Sequence, residues 1–312
     1  WLPEAERDEW LERAAQLAAD SGGPVEAPIV FEGHAPAEVA DNPELAAALR
    51  ERPDKRPATA KVWLGAPNSI KGPTAAVFQR QSGSHLLLVS QSNERTLTIL
   101  GMALVSLAAQ YPAAGAEFVL VDPHGPESAS RAFFEKLGGI IPQRLTLVEP
   151  AGLGAVMAEL AAALESRAGG AADQPEIYLL VHDLQRIKAL RPEDDFKFSL
   201  DDEISAVSPS QVFGNLLSEG SPAGIHIIAA IDTWNNVSRW IARKSLGEFE
   251  MRVLFQMSAN DSANLIDSPA ASTLGMHRAL FHNEHYGTLE TFRPYALPDD
   301  AWLEQTGQML KQ

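Results

Sequence analysis

The segment Gly83-Ser-His-Leu-Leu-Leu-Val-Ser-Gln-Ser-Asn-Glu-Arg-Thr-Leu-Thr-Ile-Leu100 decides the fold class of this chain. The apolar run His85–Val89 predicts a buried strand, and the apolar run after it predicts a helix over Arg95–Gln110. Only the short polar stretch Ser90–Glu94 separates the two. A buried strand, a tight loop and an apolar helix in this order are typical of α/β proteins, in which helices cover a sheet.

This order of elements is also the setting of a phosphate-binding loop, whose pattern is G-x-x-x-x-G-K-[ST]. There the glycines let backbone N–H groups surround the phosphates, the lysine reaches the terminal phosphates and the hydroxyl holds Mg²⁺. Counted from the strand, those four places hold Ser90, Arg95, Thr96 and Leu97, so none of the four groups is present. The candidate phosphate loop comprises Ser90, Gln91, Ser92, Asn93, Glu94, Arg95, Thr96 and Leu97.

A register one residue shorter places Arg95 at the lysine and Thr96 at the hydroxyl, but it leaves Glu94 where a glycine should approach the phosphate. The Glu94 carboxylate repels an anion, and a planar guanidinium is not a compact point charge. Each missing charge-assisted contact weakens binding by about 1.5–3 kcal/mol. Because two or three such losses lower the affinity roughly a thousandfold or more, we expect this loop to hold ATP poorly.

The composition narrows the class of protein further. The chain has 312 residues, of which 45% are hydrophobic and 21% charged, and this suits one large domain with appendages. Having no cysteine, it cannot form disulfides or cysteine metal sites, and it is compatible with a bacterial cytosol. Because no apolar run approaches the roughly 18 residues that span a bilayer, we expect no membrane span and a cytoplasmic location. The chain begins at Trp1 rather than methionine, so we expect a piece of a longer polypeptide.

Acidic residues dominate the charge balance. The formal net charge is −16, residues 1–60 hold thirteen Asp and Glu against six Lys and Arg, and Glu193–Glu203 form a second acidic block. Nucleic-acid binding generally needs a basic face, so we do not expect this fragment to bind DNA directly. Acidic surfaces could instead dock a basic protein partner.

Apolar runs of strand length alternate with helical runs from Lys61 onward. Strands are predicted at 61–64, 75–78, 85–89, 117–121, 145–148, 177–182, 225–231, 252–256, 279–282 and 288–292. Helices are predicted at 95–110, 127–137, 152–168, 208–218 and 235–246. This alternation predicts a central, mainly parallel sheet covered on both faces. We assign residues 1–60 to an N-terminal helical strap and linker, 61–295 to the α/β domain and 296–312 to a C-terminal helix.

Several segments of the α/β domain follow the order of a known family. His85–Val89 is similar to a strand that enters a phosphate loop, and Glu117–Glu127 to a strand that ends in Asp-Pro-Lys, with His124 at the lysine. Ile177–Leu184 is similar to a Walker B strand, and later matches are Ser221–Ala230 and Arg252–Ser262. Taken together, roughly residues 61–295 resemble the FtsK/SpoIIIE-type motor domain of the additional-strand P-loop ATPases, found in tandem in the EccC and EssC secretion ATPases.

The resemblance implies a three-layer P-loop NTPase-like fold, but the departures from the family fall on its chemistry. Its Walker B strand ends in Asp-Glu, which order magnesium-bound water and activate the attacking water. His182 and Asp183 stand there instead, and Ala230-Ile231 and Ala263 replace a Thr-Gln sensor and an arginine. We therefore predict a degenerate motor domain with no confident catalytic residue, no cofactor and no metal site. The pair His282 and His285, on a predicted hairpin turn, lacks a third ligand.

The remaining candidates follow from position. His124 ends a strand and faces the usual ligand crevice of an α/β sheet. His85 and His226 are interpreted as core histidines. A basic cluster is a possible interface that reaches a neighbour's nucleotide, and it comprises Arg239, Arg243, Lys244 and Arg252.

We expect a structural, regulatory or substrate-docking module in a larger motor protein, beside neighbouring ATPase domains or subunits. Two alternatives stay open. One is a slow but active ATP-dependent DNA translocase that uses ATP and Mg²⁺ through Arg95, Thr96 and Asp183. The other is an acidic protein-binding module that uses no nucleotide.

Overall fold

The computed structural model describes residues 3–21, 35–51, 53–170, 174–192 and 207–311. The chain divides into two compact units, Trp1–Gly33 and His34–Gln312. The described part of the first unit is the predicted helix, α1 (Glu4–Asp20), on which the large apolar side chains Trp10, Leu11 and Leu17 are exposed. The acidic block at 193–203 lies outside the described residues.

The second unit alternates strands with helices. Its strands are β1 (Ala60–Pro67), β2 (Thr74–Phe78), β3 (Leu86–Val89), β4 (Ala116–Val121), β5 (Arg144–Val148), β6 (Glu176–Val181), β7 (Ile225–Ile231), β8 (Met251–Leu254), β9 (Ala279–Asn283) and β10 (Thr288–Pro294). Its helices are α2 (Pro43–Arg50), α3 (Asn93–Gln110), α4 (Ala129–Ile140), α5 (Leu153–Arg167), α6 (Pro209–Asn215), α7 (Trp234–Trp240), α8 (Arg243–Leu246), α9 (Ala259–Ile266) and α10 (Asp300–Leu310). Each predicted strand is present. None of the described helices has both the length and the apolarity needed to cross a bilayer.

Three of the differences between the predicted and the observed helices concern α3, the pair α7 and α8, and α9. Helix α3 begins two residues earlier than predicted, because the side chain of Ser92 caps it by accepting a hydrogen bond from the Arg95 amide. The run predicted as one helix over 235–246 forms α7 and α8, since Ile241 adopts an extended conformation between them. Helix α9 was not predicted, and its eight residues follow the cap Ser258.

All ten strands form one sheet in the order β2-β1-β10-β9-β8-β3-β7-β6-β4-β5. From β8 to β5 the five pairings are parallel, and from β2 to β8 the four pairings are antiparallel. The sheet is therefore more evenly mixed than predicted, although the α/β class is confirmed. The candidate site residues after β3, β4 and β6 all belong to the parallel half.

Alternate residues of the buried strands point to opposite faces of the sheet, and both sets are apolar. Helices therefore cover both faces. Leu86 and Leu88 of β3 pack into one core with α3, α4 and α10, whereas Leu87 and Val89 pack into a second core with α5, α6 and α7. Such strands, buried on both faces, read as continuous apolar runs, and this is why they were recognisable in the sequence. Because these strands are parallel, their carboxyl ends all lie at one edge of the sheet.

His85 lies at the opposite edge and is a core histidine, as predicted. It is fully buried; its Nδ1 accepts a hydrogen bond from the Ile227 amide and its Nε2 lies 3.1 Å from the Leu217 carbonyl. Burial disfavours the charged ring, nearby His226 adds to the effect, and the pKa of His85 falls from its usual 6.5 to about 3.

The unfolding free energy is therefore expected to fall as the pH drops from 7 to 5. Between the two pKa values the unfolded chain binds a proton at His85 that the native chain does not, and this removes about 2 kcal/mol of stability over that range. The variant His85→Gln can accept and donate similar hydrogen bonds but does not titrate, so its stability should depend less steeply on pH. Urea unfolding of both chains at several pH values measures the difference, and equal slopes would contradict the assignment.

Candidate functional site

The candidate site lies at the carboxyl ends of four adjacent parallel strands, β3, β7, β6 and β4. In an open α/β sheet this edge is where ligands bind. Ser90 follows β3, Asp232 follows β7, His182 follows β6 and Asp122 follows β4. Topology therefore brings the candidate phosphate loop and the Walker B-like pair to the same edge. We call this region the strand-end crevice.

The connection between β3 and α3 consists of only three residues, Ser90, Gln91 and Ser92. Its backbone is fixed at both ends, since the Ser90 amide donates to the Ile231 carbonyl at 2.9 Å and the Ser92 amide donates to the Ser90 hydroxyl at 3.2 Å. Asn93 and Glu94, predicted as loop, form the first turn of the helix. The negative Glu94 carboxylate is stabilising in this turn, because it lies at the positive end of the helix dipole.

The side chains of Arg95 and Thr96 are already engaged within the fold. The guanidinium of Arg95 donates to the Met276 carbonyl and lies 4.9 Å from the ring centre of Phe255. The Thr96 hydroxyl donates to the Ser92 carbonyl at 3.1 Å, and Leu97 is buried in the core. In the shorter register a magnesium ion would bind the Thr96 hydroxyl and a phosphate would bind Arg95. Both side chains would first have to give up the contacts they make within the fold.

On the other side of the crevice, two histidines share one buried carboxylate. Oδ1 of Asp122 lies 2.8 Å from Nδ1 of His124 and 3.0 Å from Nδ1 of His182, and its Oδ2 accepts from the Ser130 hydroxyl. Burial of Asp122 opposes its ionisation, but the hydrogen bonds from His182 and His124 outweigh it and lower its pKa to about 2. Asp122 is thus an anion at neutral pH.

Asp183 completes this group of side chains. Its backbone is in the left-handed region, at φ 48° and ψ 56°, which aspartate tolerates better than most residues. Its Oδ2 lies 3.3 Å from Nε2 of His124 and 3.3 Å from Nε of Arg186. We call Asp122, His124, His182 and Asp183 the histidine–aspartate cluster. The sequence analysis selected three of its members but not Asp122, which was only part of a matched strand.

The predicted basic cluster separates into two kinds of residue. Arg239, Arg243 and Lys244 are exposed on α7 and α8. Arg252 differs from the prediction because it is buried: its guanidinium donates to the carbonyls of Leu265 and Leu246 and pairs with Glu284. A side chain held in this way cannot reach a neighbour's nucleotide, so the possible interface reduces to the three exposed residues.

Comparison with known proteins identifies the fold. No protein-family model matches the chain, and no curated protein matches it in sequence. Solved structures do match. Thermomonospora curvata EccC (ATPases 2 and 3), in complex with a signal sequence peptide, is 14% identical with a TM-score of 0.57, over 81% of this chain and 46% of that chain. The cytoplasmic domain of the Thermomonospora curvata type VII secretion ATPase EccC is 13% identical with a TM-score of 0.59, over 88% of this chain and 34% of that chain.

A third match is EssC (ATPases 2 and 3) from Geobacillus thermodenitrificans, 13% identical with a TM-score of 0.54, over 83% of this chain and 50% of that chain. At such identities the likeness is one of fold, and it confirms the predicted P-loop NTPase-like architecture. The chain spans half or less of the length of these three proteins.

Proposed function

We propose that this chain is an ATPase-fold module that does not hydrolyse ATP efficiently and serves a structural, regulatory or substrate-docking role in a larger motor protein. The observation that carries the proposal is the three-residue connection Ser90–Ser92 between β3 and α3. In a phosphate loop the two glycines alone are separated by four residues. A connection of three residues offers too few backbone N–H groups to surround a phosphate.

The charges of the crevice support the same conclusion. The position of the lysine holds Thr96 or Arg95, depending on the register, and Glu94 adds a carboxylate to the first helical turn. The magnesium-ordering aspartate of the Walker B strand is replaced by His182, which is hydrogen-bonded to Asp122. The residues of the crevice therefore do not fit Mg-ATP.

The setting in a larger protein is proposed from the matched structures. Two of the matches contain ATPases 2 and 3 in one chain, and this chain covers half or less of each. One of them is in complex with a signal sequence peptide, which makes substrate docking a reasonable form of the proposal. The exposed Arg239, Arg243 and Lys244 are the surface that we assign to a neighbouring ATPase domain.

No Mg-ATP binding is expected when this chain is titrated up to millimolar nucleotide in a calorimeter. Phosphate release should stay at the level of the buffer for both the native chain and Asp183→Ala. The alternative of a slow translocase gives a different result, because it requires saturable binding and a Mg²⁺-dependent turnover that Asp183→Ala abolishes. Saturable binding with a dissociation constant below about 1 mM, equivalent to about −4.1 kcal/mol, would overturn the proposal.

A further inference from the structure

The proposed function assigns no role to the histidine–aspartate cluster, which groups two imidazoles with two carboxylates. Asp122 and His182 stand directly after Val121 and Val181, which are partners in the parallel pairing of β4 with β6. Both side chains are fully buried. The fold thus places two imidazoles and two carboxylates, from residues up to 61 positions apart, around one point of the crevice.

The hydrogen bonds of Asp122 fix the tautomers of both histidines. Oδ1 of Asp122 lies 2.8 Å from Nδ1 of His124 and 3.0 Å from Nδ1 of His182, and one oxygen serves both rings when each Nδ1 donates to it. In a neutral imidazole the other nitrogen, Nε2, then carries a lone pair. A carboxylate that holds the second nitrogen of a histidine is the usual support of a metal-binding histidine.

The two Nε2 atoms lie near the carboxylate of Asp183. Nε2 of His124 is 3.3 Å from Oδ2 of Asp183, and Nε2 of His182 is 4.0 Å from Oδ1. Within the described part of the chain, the buried Nε2 of His182 has no hydrogen-bond partner. A lone pair close to a carboxylate oxygen is unfavourable unless a proton or a cation lies between them.

We propose that this cluster is a site for a divalent transition metal, zinc above all, bound by Nε2 of His124, Nε2 of His182 and the Asp183 carboxylate. Two ligands of a tetrahedral zinc ion lie about 3.4 Å apart when each bond is about 2.1 Å. Nε2 of His124 and Oδ2 of Asp183 have this spacing at 3.3 Å, whereas Nε2 of His182 lies 4.0 Å from the other oxygen, Oδ1, and would move closer on binding. Imidazole nitrogens favour zinc over magnesium. His124 and Asp183 are partly exposed, which gives the ion a path from solvent.

In this arrangement Asp122 orients the ligands without binding the ion. The ion would join the ends of β4 and β6 where a motor domain would order magnesium. Asp183, whose backbone lies in the left-handed region, holds its carboxylate beside the two histidines. The inference does not depend on the proposed function, because zinc binding here involves no nucleotide.

To test the proposal, the full chain is first freed of metal with a chelator. It is then titrated with Zn²⁺ in the presence of a chromogenic chelator that competes for the ion. We expect one equivalent to bind with a dissociation constant below about 1 μM. With Co²⁺ we expect visible absorption typical of four-coordinate cobalt, and a thousandfold excess of Mg²⁺ should not compete. The variants His124→Gln and Asp183→Asn should each weaken zinc binding about a hundredfold or more.

The matched control is His285→Gln, which removes an exposed histidine on the turn between β9 and β10 and should leave zinc binding unchanged. His124→Gln and Asp183→Asn change partly exposed residues, so both should fold, and circular dichroism checks this. A dissociation constant for zinc above about 1 μM in the native chain would overturn the proposal. So would stoichiometric binding that both variants retain.

Discussion

Affinity for Mg-ATP is expected to rise about a thousandfold when Ser90–Thr96 is replaced by the eight residues Gly-Ser-Gly-Ser-Gly-Gly-Lys-Thr. The replacement lengthens the connection by one residue, removes the Glu94 carboxylate and unwinds the first turn of α3. It provides backbone N–H groups, a lysine and a hydroxyl at the start of the remaining part of α3, whose positive end favours anions. Two or three charge-assisted contacts of about 1.5–3 kcal/mol each give this gain.

Calorimetry with Mg-ATP measures the gain, and a second graft with methionine at the lysine position is the control. We expect that control to lose about tenfold to a hundredfold in affinity relative to the first graft. Turnover should remain absent in both grafts, because His182 still occupies the place of the magnesium-ordering aspartate. A folded graft that binds Mg-ATP no better than the native chain would show that the connection is not what limits binding.

The sequence predicted the strands far better than it predicted the site. Each strand is a run of apolar residues bounded by polar ones, and a parallel strand buried on both faces leaves this pattern directly in the sequence. The sequence predicts the start of α3 at Arg95 rather than Asn93 because the polar residues up to Glu94 are typical of a loop. What fixes the start is the cap Ser92, whose side chain begins the helix two residues earlier than predicted.

The histidine–aspartate cluster could not be predicted, because its geometry depends on strand order. Asp122 and His182 are 60 residues apart, and only the pairing of β4 with β6 brings them together. An acidic residue after a strand is too common to indicate a partner. The one available signal was the position of Asp122 and His182 directly after two apolar strands, since such positions share an edge when the strands are parallel.

Arg252 illustrates a different limit of sequence reasoning. Together with Arg239, Arg243 and Lys244 it looked like part of a basic surface, yet its guanidinium is buried. It donates to Leu246 at the end of α8 and to Leu265 in the last turn of α9, at 3.1 Å and 2.7 Å. A cation is favourable at the carbonyl end of a helix, and one planar guanidinium with several donors can serve two helices at once.

Arg252→Ala is therefore expected to lower the free energy of unfolding by about 2–4 kcal/mol, because each buried carbonyl that loses its donor costs about 1–3 kcal/mol. The carbonyls of Leu246 and Leu265 lose their donor, and Glu284 loses its ion pair. The stability of Arg252→Lys should fall between those of the native chain and Arg252→Ala, because one ammonium cannot reach all three acceptors. Arg243→Ala is the matched control, and as an exposed residue it should change stability by no more than about 0.5 kcal/mol. Urea unfolding with fitted slopes measures the stability of all three variants. Equal losses for Arg252→Ala and Arg243→Ala would contradict the buried role of Arg252.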